Sequence, residues 1–217
     1  MPLSPPVGRQ HLHTRRVTCQ GFFRDDGLWD IEGRITDTKT YQHPNEWRGP
    51  LKAGEFVHDM SIRLTLDHKF TIVDVEAVTD RSPYSICGEV APNFRKLIGL
   101  RIGSGFHREA RARLGGVHGC THIVELLGPV ATTAFQTVSS SKARELNRAH
   151  RAKTGNLPPP RAKDPAKLPR RPYVIDTCRA WASDGAVVKR WAPAFYTGAD
   201  AEAVREAAKN KEIELDG

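Results

Sequence analysis

Two stretches in the first half of the chain alternate apolar and polar residues around a short turn. Runs 16–23 and 28–35 flank an Arg-Asp-Asp-Gly turn, and runs 57–66 and 70–78 flank a second turn. Alternation with a period of two is typical of strands that bury one face, and Asp-Gly between such runs is a strong hairpin signal. Two consecutive hairpins predict a four-stranded antiparallel meander, or a larger, mainly antiparallel sheet, with one buried face.

Helical patterns occupy much of the second half. The sequence predicts a short helix over 92–98, a helix over 105–114 that ends at a glycine pair, and a largely apolar helix over 121–136. A last helix is predicted over 201–211, and residues 173–178 are predicted to form a strand or another buried segment. Helices that pack on the apolar face of such a sheet define an α+β fold.

The positive charge of the chain is concentrated in one segment. The net charge is +8, and residues 142–171 contain ten Lys or Arg against two acidic residues, together with five prolines. This composition is typical of a solvated linker, while a basic tether for nucleic acid is the alternative. We therefore predict a core domain over 1–140, a basic, proline-rich linker or long loop over 141–172, and a C-terminal segment over 173–217 that packs on the core.

Composition and the spacing of the cysteines indicate the cellular compartment. Hydrophobic residues make up 39% and charged residues 27% of the chain, which is ordinary for a globular protein. The four cysteines are scattered without a CxxC pair, which favours a reducing compartment. The chain has no apolar run of about 18 residues and no signal-peptide pattern. We expect a cytoplasmic protein that does not associate with membranes.

The segment around the start of the long predicted helix holds the best candidates for chemistry. Residues 115–119 include three glycines, and Cys120, Thr121 and His122 follow at the helix N-terminus. Free N–H groups and the helix dipole favour anions and thiolates at that position. Glu125 lies three residues after His122 and is predicted to orient its imidazole. We interpret Cys120, His122 and Glu125 as catalytic and Thr121 as substrate-binding; the alternative is a glycine turn with a capped helix and a hydrogen-bonded histidine.

Other candidates lie outside that helix. His58 is predicted to share the buried face of the third strand, which makes it the partner of His122, although histidines on such faces are often only hydrogen-bonded. Arg24 in the first turn, Tyr84 near a strand end and His118 in the glycine segment are the further substrate-binding candidates.

Cofactor and metal patterns are weak. The alternating spacing of His118, Cys120 and His122 matches no common zinc pattern. Residues 103–105 (Gly-Ser-Gly) are too short for a dinucleotide fingerprint, and the chain has neither a Walker motif nor a nucleophile elbow. We expect no cofactor and no metal.

Four stretches, taken together and in order, resemble those of the bacterial domain-of-unknown-function 2889 family. They are 24–33 (RDDGLWDIEG), 58–60 (HDM), 83–87 (PYSIC) and 119–127 (GCTHIVELL). The resemblance runs from about residue 10 to the C-terminus. It implies a bacterial protein but no particular reaction, because the family's name assigns none.

The residues therefore carry the functional hypothesis. We expect a cofactor-independent enzyme in which His58 and His122 transfer protons and the helix N-terminus stabilises an oxyanion. Without a hydride carrier, elimination or retro-aldol cleavage by a lyase is the favoured reaction, with a small hydroxylated compound of bacterial catabolism, aromatic ones included, as substrate. The alternative is a non-catalytic binding protein whose basic segment contacts nucleic acid or another anionic partner. A homo-oligomer is left open.

Overall fold

The two predicted hairpins join into one antiparallel sheet. Its strands, in spatial as well as chain order, are β1 (His13–Phe23), β2 (Trp29–Lys39), β3 (Phe56–Leu66) and β4 (Ile72–Arg81). The computed structural model describes residues 3–155, 171–172 and 174–213. The prediction of an α+β fold built on a four-stranded antiparallel meander is confirmed.

One face of the sheet forms the main hydrophobic core. Ile31 and Ile35 on β2 and Ile62 and Leu64 on β3 alternate along their strands and are fully or almost fully buried. The opposite face carries ion pairs, such as that of Arg63 with a carboxylate on each neighbouring strand. The period-two pattern thus separates an apolar face from a charged one, as the hydrophobic effect requires.

Helices follow the sheet in the chain. A 3-10 helix covers Ser85–Leu97, where the sequence predicted only its second half, and helix α1 covers Phe106–Leu114. After the short 3-10 turn Gly116–His118, helix α2 runs from Thr121 to Thr154. Helices α3 (Ala186–Trp191) and α4 (Ala201–Ile213) lie near the C-terminus. The predicted C-terminal helix is confirmed.

Helix α2 approaches the sheet closely where two strands have glycine. A Cβ added at Gly33 would lie 2.5 Å from Cγ2 of Val130, and one added at Gly21 would lie 1.9 Å from Oγ1 of Thr137. Any side chain at these positions would push the helix away from the sheet. Helix α2, whose first turn carries candidate residues, is therefore packed directly on the sheet at Val130 and Thr137.

The prediction of a linker or loop is wrong for residues 141–154, which are helical. All five prolines of the basic segment lie at or beyond Pro158, so nothing in 141–154 interrupts a helix. Gly155, with a φ of +74°, follows the last helical residue as glycine commonly does. The rest of the predicted linker, residues 156–170, lies outside the described residues.

The predicted strand or buried segment over 173–178 is a turn at residues 174–176, with Ile175 buried, and Tyr173 lies outside the described residues. The chain divides into two compact units, Met1–Arg148 and Ala149–Gly217. The second unit has its own small core, formed by Ile175, Val188, Ala192 and Tyr196. The predicted domain limits, and the packing of the C-terminal segment on the core, stay predictions.

Among the described residues, no helix combines the length and the apolarity needed to cross a membrane. The expected cytoplasmic location and the oligomeric state remain predictions.

Candidate active site

A row of three polar side chains crosses the sheet at the end nearest the start of α2. The strand register pairs Arg15 on β1 with Asp37 on β2, and Asp37 with His58 on β3. Directly opposed residues on one face of an antiparallel pair have side chains within reach of each other. A β-bulge between Asp37 and Thr38 follows the row immediately, at the kind of place where bulges re-aim side chains.

The carboxylate of Asp37 is the centre of this row. It is 1% exposed. Arg15 donates from Nε and Nη2 and His13 donates from Nε2, each over 2.9 Å, and Nδ1 of His58 donates over the same distance. Burial raises the pKa of Asp37, but the hydrogen bonds from Arg15 and His13 outweigh it and hold the pKa at about 2. Asp37 is therefore ionised at neutral pH.

The bond to Asp37 fixes the tautomer of His58. A carboxylate can only accept, so Nδ1 of His58 carries the proton and Nε2 of the neutral ring is left as a base. Burial lowers the pKa of His58 below its ordinary 6.5, the charge of His122 lowers it further, and Asp37 partly opposes both. Neutral His58 is thus the prevailing form at pH 7.

The ring of His122 stacks on that of His58. Their centroids are 3.9 Å apart and their planes are inclined by 32°. Burial, followed by the positive charge of Arg15, lowers the pKa of His122 as well. A positive charge on either ring opposes protonation of the other, so one of the two rings becomes an imidazolium more readily than both do.

A cavity of about 310 Å³ opens beside the two histidines. It is lined by His58, Met60, Pro83, Tyr84, Ile86, Cys87, Val90, Gly119, Cys120, Thr121 and His122. Sγ of Cys120 lies 4.0 Å from Nδ1 of His122 and 3.5 Å from Sδ of Met60. Around this cavity the structure brings together five of the sequence candidates: His58, Tyr84, Cys120, Thr121 and His122.

Glu125 reaches this cluster by another route than the one predicted. Its exposed carboxylate accepts a hydrogen bond from Nη1 of Arg15 over 2.7 Å, whereas the sequence placed it on the imidazole of His122. Arg15 thus bridges Glu125 and Asp37. The reason is geometric: a long arginine on the edge strand β1 extends to the exposed side of α2, where Glu125 lies.

Arg24 and His118 are not brought into the cluster. Arg24 lies in the turn between β1 and β2, where it pairs with Asp26 and Asp30. Trp29, at that end of β2, is roughly 26 Å from Asp37 at about 3.3 Å per residue. His118 is exposed, its carbonyl accepts a hydrogen bond from Asn93, and it does not line the cavity. Both substrate-binding interpretations lose their geometric support.

Sequence reasoning missed Asp37, Arg15 and His13. The signal for Asp37 was present, because counting by twos from Ile31 and Ile35 assigns it to the buried face of β2. An aspartate at such a position is costly unless it is paired, and so marks a buried polar cluster. Arg15 and His13 carry no comparable signal, since an edge strand accepts charged residues at any position.

The same cluster includes a set of potential metal ligands. One ligand atom each from Asp37, His58 and His122 lies within 4.8 Å of the others. Both carboxylate oxygens of Asp37 already accept N–H groups, so Asp37 is placed to orient His58 rather than to bind an ion directly. A carboxylate–histidine pair of this kind occurs both in proton-transfer sites and behind metal-binding histidines.

The fold and the site define a class: an α+β domain with a four-stranded antiparallel meander and a buried carboxylate that holds one of two stacked histidines beside a cavity. The model of the family described as "Protein of unknown function (DUF2889)" matches residues 13–136, so the chain belongs to that family. The resemblance found in the sequence is thereby confirmed over residues 13–136, and His13, Asp37, His58 and His122 all lie in that range. A search of curated proteins and a search of solved structures each found no match.

Proposed function

We propose that the chain is a cofactor-independent acid–base enzyme, and specifically a lyase, that cleaves a small hydroxylated compound in the cavity beside His58. The observation that supports it is the Asp37–His58–His122 arrangement, in which a buried carboxylate sets the tautomer of one histidine and a second histidine stacks on it. Histidines held neutral near pH 7 are suited to accept and return a proton.

His58 acts as the base in this scheme. Its Nε2 takes the hydroxyl proton of a β-hydroxy carbonyl substrate, and the C–O bond becomes the carbonyl of an aldehyde. The neighbouring C–C bond breaks, and its electrons move into the carbonyl of the leaving fragment, which becomes an enolate. The imidazolium formed at His58 is stabilised by Asp37, whose carboxylate stays ionised. The proton then returns through the histidine pair to the leaving carbon, so the cycle closes without any co-reactant.

The start of α2 supports the developing negative charge on the leaving fragment. The first hydrogen bond of the helix joins the N–H of Val124 to the carbonyl of Cys120. The N–H groups of Thr121 and His122 precede that bond, and such groups at a helix N-terminus have no acceptor within the helix. Since both residues line the cavity, their N–H groups are well situated to receive an oxyanion.

A matched set of histidine variants tests the proposal. Purified protein is first screened against β-hydroxy carbonyl compounds, with aldehyde release as the readout. His58→Gln and His122→Gln are each expected to lower turnover by about a hundredfold to ten-thousandfold. His118→Gln, in an exposed histidine of the same segment, is the control and should leave turnover unchanged. Full activity in both cavity variants, with melting temperatures intact, contradicts the acid–base role.

Nucleic-acid binding through the basic segment is the competing proposal. Its support is the charge concentrated in 142–171 together with the helical geometry up to Thr154, on which Arg148, Arg151 and Lys153 are exposed. Replacing these three with glutamine should then abolish a salt-sensitive gel shift of duplex DNA or RNA. Absence of any shift with the unaltered protein removes this alternative.

A further inference from the structure

Large apolar side chains are exposed around the mouth of the cavity. Tyr84 and Ile86 both line the cavity, yet they are 55% and 60% exposed. Trp47 is 58% exposed, and its ring meets that of Tyr84 edge-on, with centroids 6.4 Å apart and planes inclined by 79°. We call Trp47, Tyr84 and Ile86 the rim.

The loop that carries Trp47 is tied to the cavity wall. Oδ1 of Asn45 accepts hydrogen bonds from the backbone N–H groups of Trp47 and Arg48, over 3.0 and 2.8 Å. Nδ2 of the same asparagine donates to the carbonyl of Pro83, which lines the cavity, over 3.2 Å. Arg48 also donates to the carbonyls of Phe56 and Ser82. The indole is therefore presented at a defined place beside Tyr84.

Such an arrangement points to a ligand. Single exposed apolar residues are ordinary, but a contiguous group beside a concave site is typical of ligand binding. An edge-to-face pair of aromatic rings leaves ring faces open, and a third ring can pack against them in offset or edge-to-face geometry. The rim is also continuous with the cavity through Tyr84 and Ile86, so one molecule can contact both.

We propose that the rim binds the aromatic ring of the substrate while a hydroxylated side chain on that ring extends into the cavity toward His58 and His122. The position of the reacting side chain rests on the proposed function; the ring site rests on the rim alone. The substrate class is thus a β-hydroxy carbonyl compound with an aryl substituent, and not a sugar or an aliphatic hydroxy acid.

The test compares benzyl alcohol with cyclohexylmethanol, which has a similar size but no aromatic ring. Binding to the full chain is followed by ligand-observed NMR titration. Benzyl alcohol should bind more tightly, and Trp47→Ala should weaken it about three- to tenfold, as expected for loss of one aromatic contact. Phe23→Ala removes an aromatic ring that is 56% exposed at the far end of the sheet and is the matched control. Tyr84→Leu, which keeps an apolar side chain but removes the aromatic ring, should also weaken the binding of benzyl alcohol.

Equal binding of the two alcohols, no binding of either, or an unchanged affinity in Trp47→Ala each overturns the ring site. A second copy of the chain is the other molecule that could cover the rim, and sedimentation of the unaltered chain and of Trp47→Ala tests for it. A dimer that the substitution dissociates would show that the rim contacts a second copy, and this result also overturns the ring site. His58→Gln separates the two proposals. It should still bind benzyl alcohol more tightly than cyclohexylmethanol, because the rim is intact. This preference together with undiminished turnover in the variant rejects the acid–base scheme and leaves the ring site standing.

Discussion

At Asp37, a carboxylate occupies a position that the alternation along β2 assigns to the buried face. Arg15 and His13 reach it from β1 and His58 from β3, so its charge is balanced within hydrogen-bonding distance. A buried carboxylate in such surroundings stabilises the folded state and also fixes a functional group. The two roles are separable, because stability responds to the charge of Asp37 and the proposed chemistry responds to the tautomer of His58.

Acid should weaken the folded state through Asp37. Its folded pKa of about 2 lies below the ordinary 3.8, so the stability it contributes is present above the ordinary value and is lost as pH falls toward 2. The shift corresponds to about 2 kcal/mol of unfolding free energy. Urea unfolding should show Asp37→Asn to be less stable than the unaltered chain at pH 7, with the gap narrowing below pH 4. A gap that is constant with pH would mean that Asp37 acts by shape alone.

The stacked histidines should titrate as a pair. Burial and the neighbouring positive charges lower the pKa of each histidine below 6.5, so each is more easily protonated in the unfolded chain. The free energy of unfolding should therefore decrease as the pH falls below 6.5. In His122→Gln the opposing charge is gone, and the pKa of His58 should rise. NMR titration of the imidazole C–H signals measures it, with His118→Gln as the control. An unchanged pKa would show that the rings do not interact.

At the scale of elements, the contact between α2 and the sheet depends on the absence of side chains at Gly33 and Gly21. Gly33→Ala should lower the free energy of unfolding by about 1 to 3 kcal/mol, because its methyl group collides with Val130. Adding Val130→Ala should recover part of that loss, which a double-mutant cycle in urea measures. Gly88→Ala, where a Cβ meets nothing within 4 Å, is the control. Additive losses at Gly33 and Val130 would argue against the contact.

The elements themselves were largely predictable from the sequence. Alternation and the turn at 24–27 are local signals, so both hairpins followed from them. The end of α2 was missed because charge and proline content were averaged over 142–171, although the prolines begin only at Pro158. Helix termini depend on the individual residues near the end, here Gly155, and an average over a segment hides them.

The candidate site was predictable only in part. His58, Cys120, Thr121 and His122 were recognised as chemically capable types, and the cavity indeed joins them. The link from Arg15 through Asp37 was not visible, because it depends on the register between strands. That register is determined by both paired strands together and cannot be read from either one alone. The site hypothesis was therefore incomplete because contacts between neighbouring strands could not be predicted, and not because the wrong types of residue were chosen.

For the whole molecule, the division at Arg148 places every residue of the site in the first unit. A chain that ends at Arg148 should therefore keep the lowered histidine pKa values and the binding of benzyl alcohol, since the second unit has a core of its own. Histidine NMR titration of the truncated and full chains provides the comparison. Loss of the folded histidine signals in the truncated chain would show that the first unit needs the second.

The row of Arg15, Asp37 and His58 also bears on how the candidate site forms during folding. A slip of one residue between β1 and β2 or between β2 and β3 would turn one member of the row to the opposite face. Compact chains with misaligned strands would therefore lack the carboxylate–histidine bond even if most of their helices had formed. During refolding, the recovery of that bond should lag behind the recovery of the helical circular dichroism signal. The rate at which the bond forms would then report when the three strands reach their native register.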